Sequence, residues 1–389
     1  MVESSQVISG LPSVDYYAPN FKVFVEGHEL DPESHGDILD VKVTMEKDSM
    51  TGFDLTVNNW DDKSFDFKYS DTARFDIGKS VQIQMGYADQ LRSMVSGIIS
   101  SMTPRFPAGG PPTLSVSGLD RRLKLKDKKP DDKKGEIKKF VNKTDWEIAE
   151  IIARRNKMEV QTTKEGKRHA LVIQKDQDEL TFLMERAKRI DFDFYVRMNP
   201  LTGTDKLFFV KPTDNRDARR SRVFKLEWGQ NLITFNPKLS INDQVAQMTV
   251  KGWDPATKKK ISYTASSTDL PPDACGGRSG PEAARDRLDG KTHDTVDRPV
   301  ASVEEARDLA RSLLLERAYG YLTGTGQIIG LPDLRPGDNL ELLGLGQRYS
   351  GTSGCPVKYF VKKVTHSIGG NGYLTDFEVR SIRDGGTRA

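Results

Sequence analysis

Cysteine is almost missing from this chain. There are two in 389 residues, Cys275 and Cys355, and neither belongs to a CxxC pair. That excludes a disulfide-dense secreted scaffold, and the polar, turn-rich surroundings of both favour unpaired, reduced thiols over the alternative of a disulfide or a metal site. Histidine is scarce as well. His28, His35, His169, His293 and His366 are scattered, with no i, i+4 partner and no zinc spacing. His366 lies at a strand end near a hairpin and reads as structural, with a catalytic base as the alternative. No apolar run approaches the ~18 residues of a membrane helix, and no signal-type apolar segment follows Met1. Synthesis and folding in a cytoplasm follow as the expectation. An excess of one charge is lacking too: 59 Lys+Arg stand against 56 Asp+Glu, a net +3, where a dedicated nucleic-acid binder would be more basic.

Motifs of catalysis are also missing. There is no P-loop, GxSxG or HExxH, and Gly324-Thr325-Gly326 precedes a strand instead of linking a strand to a helix. The pairs Asp61-Asp62 and Asp131-Asp132 sit in polar, loop-like sequence, where nothing would shift a carboxyl pKa toward acid–base work. The expectation is no enzyme, no cofactor and no metal, and no site residues are singled out.

What is present is alternation. Phe21, Val23 and Val25, then Val81, Ile83 and Met85, then Val357, Tyr359 and Val361, then Tyr373, Thr375, Phe377 and Val379 all repeat with period two, which predicts strands with one buried face. Turn signals punctuate them. Leu334-Arg335-Pro336-Gly337-Asp338 combines a fixed φ with a residue free to take φ > 0, and Asn371-Gly372 is a strong hairpin signal.

Taken in order, residues 1–20 read as a polar N-terminal arm, frayed or docked on a neighbour. Residues 21–120 read as a first β-barrel domain, with turns every ~8–12 residues. Residues 121–215 read as a linker followed by a small α+β domain. Arg121 to Lys139 carries ten basic and four acidic residues without aromatics, so a solvated linker is favoured over a phosphate-contacting tract. Thr144 and Glu147 form a capping-box pattern ahead of Ile148, Ile151 and Ile152, and a second helix is expected from about Asp178 to Arg189. Residues 216–389 read as a second β-barrel domain containing a long loop, 256–300, and one helix, 302–319, opened by Ser302 and Glu305. No sustained internal repeat is visible, although the β, α+β, β order hints at two related barrels around an insertion. The expected fold class is thus mainly β with an α+β insertion, as two tandem β-barrel-like domains.

Ordered short motifs then carry a resemblance. Ile329-Gly330, Leu334 to Asp338, Tyr359-Phe360-Val361 with Val364-Thr365-His366, and Gly372 to Phe377 resemble the end of the baseplate hub proteins of contractile tails. That is the phage late control D family, related to the hub portion of VgrG spike proteins. Near the start, Gly78-Lys79-Ser80-Val81-Gln82-Ile83-Gln84-Met85-Gly86-Tyr87 resembles a strand of the same family's first barrel. Asp178 to Val196 resembles its helix-then-strand segment, without a glycine often found near Asp191 or Asp193, and Gly252-Trp253-Asp254-Pro255 is also similar. The resemblance implies a structural hub: a homotrimer of two barrels per copy that adapts a hexameric inner tube to a threefold central spike, in a phage tail, a tail-like bacteriocin or an extracellular injection particle. Its implied partners are itself, the inner tube protein, a spike protein and other baseplate proteins, with no membrane span and no specific nucleic acid. A spike would need further short β repeats after Arg380, and the sequence instead runs to Gly-Gly-Thr-Arg-Ala, so the expectation is that the spike is a separate protein or has been removed from this sequence.

Two other readings use the same residues. One is a carbohydrate- or wall-binding β module with Trp60 and Trp253 as a sugar platform, which needs clustered, solvent-facing rings. The other is a tail-associated wall hydrolase, which needs buried carboxylates.

Overall fold

The period-two residues do form strands, and nearly all of the long strands enter one sheet. The computed structural model describes residues 7–8, 18–47, 49–130, 139–190, 192–198, 202–211, 222–254, 258–271, 277–288, 293–297, 300 and 302–386. Twelve strands make up most of the large sheet: β1 (Pro19–Val25), β2 (Ile38–Glu46), β3 (Gly52–Asn58), β4 (Ser80–Tyr87), β5 (Gln90–Arg105), β6 (Thr113–Asp120), β7 (Val223–Glu227), β8 (Leu232–Leu239), β9 (Leu322–Ile329), β10 (Asn339–Leu343), β11 (Lys358–Gly369) and β12 (Gly372–Ser381).

Their order shows an internal duplication. The first half runs β2-β3-β6-β5-β4-β1, and the second runs β8-β9-β12-β11-β10-β7, each strand six places on from its counterpart. The registers agree in detail. Leu39 is bulged out of the β2–β3 ladder and Ile233 out of β8–β9; Ser100 is bulged out of β5–β6 and Lys362 out of β11–β12. Gly78 donates its N–H to Ile99 O at 2.9 Å, and Gly337 donates to Val361 O at 2.9 Å. Both glycines have φ near +90° (+89° and +94°), a left-handed conformation that a β-carbon would strain. One strand differs: β1 is antiparallel to β4, whereas β7 is parallel to β10.

The halves are joined inside the chain. β11 pairs with β10 through residues 358–360 and then, along the same edge, with β2 through residues 363–368. The large sheet is therefore continuous across both halves. Strand β1 returns to touch β11 without pairing to it, so neither half is a closed barrel among the described residues. Each half buries one face. Val43, Leu55, Val81, Ile83, Leu114 and Val116 anchor the first core, and Leu340, Leu342, Tyr359, Val361 and Val364 the second, all fully buried. At about 1.5–3 kcal/mol per fully buried aliphatic or aromatic side chain, these faces dominate the stabilisation.

Two smaller cores flank the sheet. One lies in the insertion between the halves, where α1 (Asp145–Arg155) and α2 (Glu179–Arg189) pack Ile148, Ile152 and Leu183 against Phe209 of a three-stranded sheet. The Thr144–Glu147 capping box forms as expected. The other core corrects the expected long loop. Within 256–300 lie a strand, Lys259–Ser266, a helix, α3 (Gly280–Arg287), and a strand, His293–Asp297. The two strands flank Gln247–Asp254, and α4 (Val303–Ala318) packs Ala306, Ala310 and Leu314 onto that sheet. Its sequence is rich in Gly, Pro, Ser and Thr, but Ile261 and Ala265 at alternate-face spacing supply the buried side.

Three further expectations are corrected. The start of the charge run is not a solvated linker: Arg121 and Arg122 are buried, with Arg121 on Asp205 and Arg122 on Asp120. Residues 131–138 of that run lie outside the described residues. In the N-terminal arm, Val7–Ile8 pairs with Val223–Phe224 of the same chain as a parallel strand. Cys355 is disulfide-bonded, not a reduced thiol; Cys275, the other cysteine, lies outside the described residues.

Candidate functional site

The strand joint and the polar sheet face beside it form the candidate site. At the joint, six residues of β11 face six of β2, from Lys363 opposite Glu46 to Ile368 opposite Val41. Lys47 donates its N–H to Lys362 O at 2.9 Å, and the hydroxyls of Thr44 and Thr365 lie 3.3 Å apart. Val41, Val43 and Val364 seal the joint from the core side with no exposure at all.

His366 sits at the centre of this joint. It is fully buried, which pushes its pKa down to about 3, and the Arg335 guanidinium nearby acts in the same direction. The neutral ring is held on both nitrogens: Nε2 lies 3.2 Å from Leu334 O, and Nδ1 lies 3.0 Å from the Tyr373 hydroxyl and 3.1 Å from that of Thr375. The 330–338 segment thereby docks on the first half. The Tyr87 hydroxyl donates to Gly330 O at 2.8 Å, Arg335 donates to Ser93 O at 3.2 Å, and Arg92 pairs with Asp333 at 3.2 Å. Held this way, His366 has no free nitrogen for proton transfer, and its structural reading stands.

The opposite sheet face is polar across both halves. Thr44, Asp54, Thr56, Ser115 and Ser117 continue into Thr325, Gln327, Thr365, Asp376 and Glu378, alternating with the buried residues. Their groups satisfy one another: Ser117 on Asp54 at 2.6 Å, Gln327 on Asp376 at 2.9 Å and Lys363 on Glu378 at 3.1 Å. A face of short, self-paired polar groups suits a wetted surface.

A cleft of about 1090 Å³ opens where the first half, the insertion and α4 meet. Arg380 lies over the rings of Tyr319 (4.3 Å) and Phe360 (5.2 Å), and Lys47 over Phe360 (4.9 Å). At its back, Arg122 reaches Ser49 O at 2.7 Å and Phe194 O at 3.3 Å, tying the first half to the insertion.

The other residues weighed in the sequence are dispersed. His28 is exposed, and His35 stacks on Phe21 at 4.5 Å. His169 contacts Asp145 at 3.1 Å and Arg186 at 2.9 Å, an arrangement the sequence reading missed because 41 residues separate Asp145 from Arg186. Asp61 caps its own turn through Lys63 N and the Ser64 hydroxyl, and those bonds hold its pKa down. The side chain of His293 and both Asp131 and Asp132 lie outside the described residues. Gly324 to Gly326 lies within β9. Trp60 meets Phe65 and Phe67 edge-on, at 74° and 66°, and Phe67 meets Phe106 at 73°. Trp253 belongs to the separate Gln247–Asp254 strand. Rings set edge-on, with the two tryptophans on different sheets, do not make the flat platform that sugar stacking needs. Among the described residues, no group of His, Cys, Asp or Glu could hold a metal ion, and no helix is long and apolar enough to cross a membrane.

Residues 16–370, the first half through β11 of the second, match the profile of the Alg8 N-terminal domain family. The chain belongs to that family. No curated protein sequence matches it. Among solved structures, it is similar to a 43 kDa tail protein of prophage MuSo2 from Shewanella oneidensis, at 14% identity and TM-score 0.65, over 93% of this chain and 98% of that one. It is similar to a tail protein from Neisseria meningitidis, at 13% identity and TM-score 0.64, over 94% and 97%. An E. coli component of the type VI secretion system follows at 12% identity and TM-score 0.54, over 92% and 76%. At such identities the shared property is the fold: mainly β, with an α+β insertion, as in phage tail proteins and a type VI secretion component.

Proposed function

We propose that this chain is the structural hub of a contractile tail-like particle, a homotrimer that adapts a hexameric inner tube to a threefold central spike. The duplication carries the reading. Each copy holds two sheets of matching strand order and matching bulges, already joined edge to edge, so three copies offer six near-equivalent sheets to a six-subunit ring. The likeness to phage tail proteins supports the same setting, and the sequence motifs from Leu334 to Phe377 narrow it to the hub.

In this reading the chain acts by assembly and performs no catalysis of its own. Its partners are other copies of itself, an inner tube protein, a spike protein and neighbouring baseplate proteins. It leaves the cytoplasm as part of the particle. The test is the mass of the purified chain by light scattering across a concentration series. A species of three times the 43.6 kDa chain is expected. A monomer at every concentration overturns the trimeric hub.

A further inference from the structure

The cleft where the first half, the insertion and α4 meet holds cations that no carboxylate answers. Arg380 enters it from β12, directly opposite Phe360 of β11. Its guanidinium lies over the Tyr319 ring at 4.3 Å and the Phe360 ring at 5.2 Å, and Lys47 reaches the same Phe360 ring at 4.9 Å. Ring faces attract a cation but accept no hydrogen bonds in the guanidinium plane. The Arg380 Nε is enclosed and has no hydrogen-bond partner in the protein. Among the described residues, neither Arg380 nor Lys47 forms an ion pair, and the same holds for Lys188 and Arg189 in the last turn of α2. The described lining carries six basic and three acidic side chains. Arg122 is answered by Asp120 and Glu46 by Lys362, both from outside the lining, so the surplus of positive charge remains.

The walls between these charges are apolar. Met184, Ile190 and Phe192 stand half-buried at the rim of the insertion's core, and Leu315 at the rim of the core beneath α4. Leu315 and Tyr319 are four residues apart, which brings both to the cleft side. A volume of about 1090 Å³ lies at the top of the range for small-molecule sites, ~300–1,000 Å³, and admits a short stretch of chain. We propose that this cleft docks an acidic, apolar segment of another protein. One carboxylate sits on the Arg380 guanidinium, whose planar fork it matches, and a second on Lys47. Apolar side chains between them lie against Met184, Ile190, Phe192 and Leu315.

The inference goes beyond the hub reading and does not depend on the number of copies. Charge complementarity selects the occupant. A nucleic-acid strand, charged at every phosphate, would be set against Glu316 as well as the cations. A peptide can place its acids only where the cations are and fill the rest with apolar groups. The occupant also has a mechanical effect. Arg122 ties the first half to the insertion at the back of the cleft, and a bound segment would add α4 to that connection.

The probe is a fluorescein-labelled peptide, Gly-Glu-Leu-Glu-Phe-Glu-Gly, with versions carrying Ser or Lys in place of Glu, followed by fluorescence anisotropy on the full chain. The Glu peptide is expected to bind, more weakly as salt rises, and the Ser and Lys versions are not. Arg380→Gln should weaken binding about tenfold or more, the loss of a charge-assisted hydrogen bond. Lys47 is exposed, so Lys47→Gln leaves the fold intact and carries the test if Arg380→Gln unfolds. Bound peptide should also slow proteolytic release of the insertion. No binding at about 1 mM Glu peptide overturns the proposal. Equal affinity in the unaltered chain and Lys47→Gln, or equal affinity for the Glu and Lys peptides, overturns it as well. A thymidine oligonucleotide that displaces the Glu peptide and itself binds more tightly assigns the cleft to nucleic acid instead. The trimer measured by light scattering is independent of every one of these results.

Discussion

His366 shows how one side chain couples the stability of the strand joint to pH. Its folded-state pKa, about 3, lies below its ordinary 6.5 because the ring is enclosed by Leu334, Tyr373 and Thr375. The unfolded chain therefore binds a proton before the folded one does. The contribution of the neutral ring is complete above pH 6.5 and falls as pH drops toward 3, by about 1.4 kcal/mol per pH unit. Urea midpoints at pH 7 and pH 5 should show a drop that is smaller in His366→Gln, which keeps a neutral hydrogen-bonding group but does not titrate. An equal drop in both would place the pH dependence on other groups. The histidine's structural role is legible in the sequence, since it lies in a period-two run beside an Asn-Gly turn. Its partners are not, because Leu334 is 32 residues away and arrives only when the 330–338 segment docks.

At the scale of strands, the duplication explains why no repeat is visible in the letters. Equivalent positions exchange bulk. Phe53 covers Gly118 in the first half, where a β-carbon would lie 2.3 Å from its ring; the corresponding pair in the second half is Gly324 and Val379, and there Phe235 covers the glycine. Backbone register is kept while the aromatic moves to another strand, so position-by-position comparison finds little. What does persist is a glycine with φ > 0 two residues before an alternating strand: Gly78 before Ser80 and Val81, Gly337 before Asn339 and Leu340. That spacing is the signal a sequence reader could have used. Gly118→Ala should cost about 1–3 kcal/mol by overpacking against Phe53 and Ile98 O. Gly370→Ala, with open space around it, should stay within about 0.5 kcal/mol. Thermal unfolding of the two variants checks the contrast, and similar losses in both would refute it.

For the whole molecule, the weight falls on contacts between parts distant in sequence. The strands, the two helices of the insertion and the hairpin at Asn371-Gly372 are local and were readable. The strand joint and the small sheet within 247–297 depend on which distant segments meet, and alternation alone cannot say. Arg122 tests the coupling between parts. It is nearly buried, pairs with Asp120, and bonds to carbonyls of the first half and of the insertion. Arg122→Ala leaves Asp120 without its main partner, a loss of about 3–5 kcal/mol for a buried pair. Limited proteolysis of that variant should release the insertion sooner than in the unaltered chain; identical cleavage rates would show that the two parts are held by other contacts.

The intrachain joint also imposes a schedule on the chain as it is made. Thr44 leaves the ribosome 321 residues before Thr365, its neighbour across the joint. At about 5–20 residues per second, β2 waits some tens of seconds with its outer edge bare. For that interval the open side of the first half is a bare strand in which the core residues Val41, Val43 and Met45 alternate with the polar Lys42, Thr44 and Glu46. Residues 363–368 are therefore what closes that edge.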